Sequence, residues 1–201
     1  MTRLSVRHAI PWLLVVFRAL LAPLMFAAVL TIAEPQPWLG AMIVSGFLSD
    51  VYDGILARRW GTETASLRVA DSIADTVFYL GVLAAIILRH WPVLRERIWL
   101  LGALLALEAL RMAFDWMKYR RMASYHSYAA KLWGVLLATA TVALLCFDRG
   151  YWLLTVALCW GIVCDLEGLL MSALLPRWTH DVKTLRRAIQ IRRELLAESV
   201  R

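Results

Sequence analysis

Six apolar stretches, each about long enough to cross a lipid bilayer as a helix, most constrain what this chain can fold into. Crossing the hydrocarbon core takes roughly 20 predominantly apolar residues. The stretches cover residues 10–33, 38–58, 69–88, 98–117, 129–147 and 151–175. A helix satisfies its own backbone hydrogen bonds in lipid. We therefore expect an all-α integral membrane protein with six transmembrane helices in one bundle.

The composition excludes several other classes of protein. Hydrophobic residues make up 61% of the chain and charged residues 18%, whereas soluble domains have about 45–50% and about 25%. An ordinary soluble domain, a disordered chain and a coiled coil are excluded on this ground. The 3 Cys are scattered through apolar stretches, which argues against a disulfide framework or a zinc site. We expect one membrane domain over residues 1–201, with 176–201 as an interfacial tail.

The distribution of positive charge predicts the orientation. Most of the 22 Lys and Arg lie in the N-terminal segment, in the loops after the second and fourth stretches, and in the C-terminal tail. Cytoplasmic loops of membrane proteins carry an excess of Lys and Arg. Both termini are therefore expected in the cytoplasm, and the membrane we expect is a bacterial inner membrane.

The C-terminal tail has the pattern of a basic amphipathic helix between residues 181 and 198. Val182, Leu185, Ile189 and Leu196 recur at helical spacing, and Lys and Arg fill much of the remainder. Such a helix is expected to lie on the anionic inner leaflet. A tail that binds nucleic acid is the alternative, but the apolar stretches bring this tail to the lipid surface. We therefore expect no nucleic-acid partner.

Four Asp residues lie at the facing ends of the second and third stretches. Asp50 and Asp53 share one arc of about 100° on a helix of 3.6 residues per turn, and Asp71 and Asp75 lie one turn apart. A loop of roughly ten residues makes the two helices antiparallel neighbours, so the four carboxylates are expected to converge at the cytoplasmic end. Ionisable residues inside membrane spans are functional candidates by default.

The residue types of this cluster indicate a site for a hard divalent cation. Carboxylate oxygens without His or Cys suit Mg²⁺ or Mn²⁺, and Mg²⁺ commonly joins carboxylates to substrate phosphates. Gly54 and Ala57 share the arc of Asp50 and Asp53, which leaves room for a ligand, and Arg58 can reach a phosphate. The structural alternative is a set of salt bridges from the four Asp to arginines at the ends of these helices. Those arginines are Arg58, Arg59 and Arg68.

These residues resemble the signature of the CDP-alcohol phosphotransferase family, D-x2-D-G-x2-A-R-x8-G-x3-D-x3-D. The matching positions are Asp50, Asp53, Gly54, Ala57, Arg58, Asp71 and Asp75, with every spacing kept. The segment from Ile10 to Pro23 is also similar to the first span of phosphatidylglycerophosphate synthases. The resemblance is good over the first three stretches and covers the last three only in outline.

The resemblance implies transfer of the substituted phosphate of a CDP-alcohol, such as CDP-diacylglycerol, to the hydroxyl of a small polar acceptor, with release of CMP. It implies that Asp50, Asp53, Asp71 and Asp75 hold two Mg²⁺ or Mn²⁺ ions and that Asp75 is the general base. The implied nucleotide site adds residues to Asp50 and Asp53. They are Gly54, Ala57, Arg58 and Thr64. Relatives are commonly homodimers, so a homodimer is expected here.

One signature position departs from the pattern, because Leu67 stands where the family has glycine. In the family this glycine helps to leave a slot for the nucleotide. A leucine there either narrows the slot and weakens activity, or forms an apolar wall against the base.

The sequence indicates the identity of the acceptor less clearly than that of the donor. A set of basic residues could form an anion pocket and favours glycerol 3-phosphate as acceptor. Its members are Arg18, Arg111, Lys118 and Lys131. We expect Glu108 to pair with Arg111 on one helix face. His126 is a loop residue and a secondary candidate for the base, and Asp165 and Glu167 have no assigned role.

Two other functions fit part of the pattern. An intramembrane aspartate-rich prenyltransferase also binds pyrophosphate through Mg²⁺, but such enzymes need two Asp-rich motifs and this chain has one. An ion-coupled transporter could use the Asp cluster as an ion site. Release of CMP from a CDP-linked lipid distinguishes the leading prediction from both.

Overall fold

The computed structural model describes residues 3–121, 125, 127–179 and 182–198, and all regular structure in this part of the chain is helical. The seven helices are α1 (Arg3–Thr31), α2 (Gln36–Trp60), α3 (Ala65–Arg95), α4 (Ile98–Tyr119), α5 (Tyr128–Phe147), α6 (Tyr151–Leu174) and α7 (Leu185–Glu198). The first six lie over the six predicted stretches and extend most of them at one or both ends, although α1 stops at Thr31 and α6 at Leu174, just before the predicted boundaries of 33 and 175. The all-α prediction is confirmed.

Five of these helices are long and apolar enough to cross a membrane: α1 from Val6, α2, α3, α5 and α6. The protein is therefore an integral membrane protein. The helix over the predicted fourth span, α4, does not meet this standard. It carries charged residues throughout its second half, namely Glu108, Arg111, Asp115 and Lys118. Length and composition alone thus support five spans rather than the six we predicted.

Local signals set the helix ends around the Asp cluster. Pro37 lies in the first turn of α2, where its missing N–H costs no hydrogen bond. The helix ends at Trp60 and is capped by Gly61, whose φ of 62° is left-handed and is readily adopted by a residue without Cβ. Thr64 then caps α3, since its Oγ1 accepts the backbone N–H of Leu67 at 3.1 Å. A connection of only a few residues therefore joins the two Asp-bearing helices.

The chain divides into two compact units, and unit 1 comprises Met1–Arg95 and Thr141–Gly150. In this unit α1 packs along both α2 and α3, whereas α2 and α3 contact each other little. A Cβ on Gly81 of α3 would lie 2.7 Å from the Cα of Ala22 on α1, so these backbones approach closely. The expected neighbours α2 and α3 do touch and bring their aspartates together, but α1 is the main packing partner of both.

The far end of α3 is kinked at His90, which has φ −134° and ψ 36°. Pro92 follows two residues later and cannot donate the backbone hydrogen bond that a regular helix needs. A cavity of about 300 Å³ lies beside the kink, lined in part by Gln36, His90 and Asp148. Asp75 and His90 are 15 residues apart along α3, or about 22 Å at 1.5 Å per residue. The cavity is therefore separate from the Asp cluster.

Unit 2 comprises Glu96–Ala140 and Tyr151–Arg201, with α6 packed against α4 and α7. Two tryptophans of this unit donate indole N–H groups across helices, Trp133 to the carbonyl of Ala157 and Trp160 to that of Ala129, both at 3.0 Å. Their hydrogen bonds join the first part of α5 to α6.

The predicted amphipathic helix of the tail is present as α7. Val182 and Ala188 are fully buried in a cluster with Met171 and Leu175, the latter two at the end of α6. Part of the apolar face that we expected to contact lipid is therefore used within unit 2. The basic side chains of the tail are exposed at Lys183, Arg186, Arg187, Arg192 and Arg193.

Candidate active site

The four aspartates of the signature converge in unit 1, although they come from two helices that touch little. Asp50 and Asp53 lie in the last part of α2, and Asp71 and Asp75 lie near the start of α3. One carboxylate oxygen from each of Asp50, Asp53 and Asp71 lies within 4.8 Å of the others. That spacing and an all-oxygen donor set fit a hard divalent cation.

The side chain that joins the four carboxylates is Arg18 of α1. Its Nη1 donates to Asp50 Oδ1 at 2.6 Å, and its Nη2 donates to Asp53 Oδ2 at 2.9 Å and to Asp71 Oδ1. Its Nε lies 3.1 Å from Asp75 Oδ1. We expected Arg18 to bind the acceptor, and its partners in this structure are the four Asp.

The sequence contains a signal that could have indicated this contact. An arginine inside a membrane span pairs with an opposite charge or lines a polar cavity. Arg18 lies near the middle of α1, and acidic residues are also found inside α2 and α3. Which of them Arg18 meets depends on how the three helices pack, and the hydrophobic pattern does not determine this.

The cluster is buried on one side and open on the other. The Arg18 and Asp53 side chains are 1% and 6% exposed. The side chains of Asp50, Asp71 and Asp75 are 44%, 34% and 36% exposed. The cluster therefore has a buried wall formed by Arg18 and Asp53, and a face that a ligand can approach.

Residues expected at the nucleotide site lie close to these carboxylates along α2 and before α3. A Cβ on Gly54 would lie 3.3 Å from both terminal nitrogens of Arg58, so the Arg58 guanidinium lies over the bare backbone of Gly54. Ala57 is buried. Thr64 has the capping role described above, and its Oγ1 is also 3.0 Å from Ser66 Oγ.

Leu67 is a buried core residue in this structure. It is 6% exposed and packs in one cluster with Val15 of α1, Ala57 of α2 and Ala74 of α3. The leucine therefore fills space between the three helices in the same buried cluster as Ala57, one of the small residues that we expected to face the nucleotide.

The other three residues of the predicted anion pocket belong to unit 2, where each has protein partners. Arg111 binds Glu108 at 3.2 Å and Asp165 at 3.1 Å. Lys118 donates to the carbonyls of Ser172 and Ala173 at 2.7 and 3.0 Å. Lys131 lies 5.8 Å from the ring centre of Tyr128.

The contacts of Arg111 also define the surroundings of two acidic residues, Glu108 and Asp165. The predicted Glu108–Arg111 pair is confirmed, and Asp165 gains a role as the second partner of Arg111. Glu167 Oε2 is buried without a hydrogen-bond partner among the described residues. His126 lies outside the described residues.

Unit 2 also contains a buried polar cluster that the sequence did not indicate. Ser172 donates to the buried carboxylate of Asp115, and its Oγ lies 3.1 Å from Tyr125 Oη. Tyr119 donates to the carbonyl of Ser172 at 2.7 Å. Burial raises the pKa of Tyr125, so its phenol stays neutral at pH 7. These residues connect the end of α4 to the end of α6.

Apolar membrane helices that bring four carboxylates together form a charged site in a membrane protein, a setting that suits a phosphate-transferring enzyme. Residues 8–164 match the family described as CDP-alcohol phosphatidyltransferase. The chain belongs to this family and is a transferase of substituted phosphate groups, a family activity in phospholipid biosynthesis. Neither the curated proteins nor the solved structures gave a match. The prenyltransferase and transporter alternatives receive no support from these findings.

Proposed function

We propose that this protein transfers a phosphatidyl group from CDP-diacylglycerol to a hydroxyl of a small polar acceptor and releases CMP. The observation that carries the proposal is the convergence of Asp50, Asp53, Asp71 and Asp75 in a chain of this family. Transfer of a substituted phosphate needs a way to offset the charge of the pyrophosphate, and these carboxylates can hold the required cations.

The metal-binding residues are proposed to be the four aspartates, with two Mg²⁺ or Mn²⁺ ions as the cofactor. When bound, these ions supply positive charge to the pyrophosphate and to the departing CMP. The exposed face of Asp50, Asp71 and Asp75 gives the donor access to this part of the site. The Arg58 guanidinium, which lies over Gly54, is a cation that can hold a phosphate of the donor.

Asp75 is proposed to act as general base. It accepts the proton of the acceptor hydroxyl while the acceptor oxygen bonds to the phosphorus that carries diacylglycerol, and the bond from that phosphorus to the CMP oxygen breaks. Of the four aspartates, Asp75 is the one whose contact with Arg18 does not align as a hydrogen bond. Its carboxylate pairs with Arg18 by charge without an aligned hydrogen bond, and it is partly exposed.

The acceptor is proposed to be phosphorylated, with glycerol 3-phosphate as the first candidate. This choice follows from the positive charge of Arg18, Arg111, Lys118 and Lys131. Each of these side chains has protein partners, so binding of an anionic acceptor by any of them would exchange such contacts for contacts with phosphate.

The membrane arrangement is part of the same proposal. We propose that α4 is a sixth span, that both termini and the Asp site face the cytoplasm of a bacterial inner membrane, and that the enzyme is a homodimer. Charged side chains within spans face the protein interior and pair with one another. The Arg111 contacts with Glu108 and Asp165 fit a membrane-crossing α4 in this way.

The test of the proposed function is release of CMP by purified enzyme in detergent or vesicles. The expected result is CMP release that requires both radiolabelled CDP-diacylglycerol and one member of a panel of small alcohols and alcohol phosphates. Asp53→Asn provides the matched negative control. Absence of CMP with every acceptor, together with turnover of a prenyl diphosphate, would contradict the proposal.

Leu67→Gly is expected to raise the affinity for CMP and CDP-diacylglycerol, because removal of the leucine opens space beside Ala57 at the proposed nucleotide site. The loss of a buried leucine should also cost roughly 2–5 kcal/mol of stability. Nucleotide titration well below the unfolding temperature separates the two effects. Leu94→Gly is the matched control, since Leu94 is equally buried in α3 and lies far along it.

The other outcomes of this titration are equally informative. Weaker binding by Leu67→Gly but not by Leu94→Gly would mean that the leucine is an apolar wall against the base. Unchanged binding would mean that Leu67 does not face the nucleotide.

A further inference from the structure

The guanidinium of Arg18 lies against the carboxylates that are proposed to hold a metal ion. One of its nitrogens, Nη2, is shared between Asp53 Oδ2 and Asp71 Oδ1, and Nη1 contacts Asp50 Oδ1. Asp50, Asp53 and Asp71 are the three residues whose oxygens lie close enough to hold one ion. Mg²⁺ binds oxygen at about 2.0–2.1 Å. An ion among these oxygens would meet the guanidinium at short range, and two cations there repel strongly.

Arg18 also has the features of a counterion for the carboxylates. Its side chain is 1% exposed, and a buried charge of this kind is stable only when it is paired. Four carboxylates in one place require positive charge for the same reason. Arg18 supplies one positive charge, and two of its nitrogens donate hydrogen bonds to three of the aspartates.

We infer that Arg18 is a positioning residue that holds the four aspartates together in the metal-free enzyme and leaves them when the metal binds. The inference rests on the metal site of the proposed function. We expected Arg18 to bind the acceptor, and the inference gives it a separate role in metal binding. Once released, the guanidinium becomes available to an anion such as a substrate phosphate.

Release of Arg18 from the aspartates should affect the affinity for metal. When only a fraction of molecules has a binding-competent site, the measured dissociation constant is larger than the intrinsic one by the inverse of that fraction. While Arg18 lies among the aspartates, the site cannot bind a metal ion. A neutral residue at position 18 should therefore tighten metal binding, whereas loss of a merely supporting residue would weaken it.

The experiment is a titration of purified Arg18→Met with Mn²⁺ alone, followed by the electron paramagnetic resonance signal of free Mn²⁺. The expected dissociation constant is roughly 10- to 100-fold lower than that of the wild type, which corresponds to a competent fraction of about 1–10% in the wild type. In excess chelator the variant should unfold at a lower temperature than the wild type, and Mn²⁺ should raise its unfolding temperature by more.

Arg97→Met is the matched control, because Arg97 is a largely buried arginine that donates to Thr155 and pairs with Glu96 in unit 2. It should leave the Mn²⁺ dissociation constant unchanged. If Arg18→Met is not recovered folded, Arg18→Gln keeps hydrogen-bonding capacity without charge and should show the same tightening.

Equal or weaker Mn²⁺ binding by a folded neutral variant, with binding by the wild type intact, would overturn the role of Arg18 and leave the proposed metal site standing. Absence of Mn²⁺ binding in the wild type and in both Arg18 variants would overturn the metal site itself, and the inference with it.

Discussion

Treatment of the purified enzyme with excess EDTA is expected to abolish release of CMP, and addition of Mg²⁺ or Mn²⁺ is expected to restore it. Arg18 offsets only one of the four negative charges that it contacts. At the 4.8 Å limit of the carboxylate cluster, two unit charges repel by about 3 kcal/mol at an effective dielectric constant of about 20. A pyrophosphate cannot approach such a cluster until cations have been added.

The control for this experiment is the folded state in EDTA, measured by thermal unfolding. Because Arg18 holds the carboxylates without metal, the wild type should remain folded in chelator while its activity is lost. Full turnover in excess EDTA would contradict the metal-dependent mechanism. The four carboxylates would then have a role other than metal binding.

Asp75→Asn is expected to lower kcat by roughly 10²-fold or more, the usual scale for a positioned acid–base group. The asparagine keeps the shape of the side chain but cannot accept the proton of the acceptor hydroxyl. Binding of CMP should be affected less than turnover. Single-turnover rates and nucleotide titration on the same preparation measure the two quantities.

Asp53→Asn is the informative comparison for Asp75→Asn. Asp53 is a buried member of the three-carboxylate group, so its substitution should weaken Mn²⁺ binding and turnover together. Asp75→Asn should lower turnover more than it weakens Mn²⁺ binding. Near wild-type turnover in Asp75→Asn would move the base to another residue, and His126 would be the next candidate.

The sequence was sufficient to predict the helices and the meeting of the aspartates. Long apolar stretches can fold in lipid only as helices, so the first six helices follow the predicted stretches closely. The spacing of Asp50, Asp53, Asp71 and Asp75 along two helices joined by a short turn limits how far apart they can be.

The partner of these aspartates and the environment of Leu67 were not predictable in the same way. Both depend on α1 packing against α2 and α3, and thus on close contacts such as Gly81 with Ala22. Small residues that allow such approaches are scattered through all the spans. Whether α4 crosses the membrane was hard to predict for a related reason. Hydropathy counts Arg111 and Asp165 as separate charges, whereas the structure shows that they form an ion pair.

The placement of Arg18 on α1 affects the order in which this protein can be assembled in a membrane. An unpaired arginine at the centre of a span costs roughly 2.5 to 3.5 kcal/mol on insertion scales, and α2 and α3 each carry two aspartates nearer one end. During synthesis α1 precedes both helices, so the arginine is already present when the acidic helices arrive. We therefore expect each acidic helix to meet a cation as it inserts, and α1 to be the helix against which the next two pack.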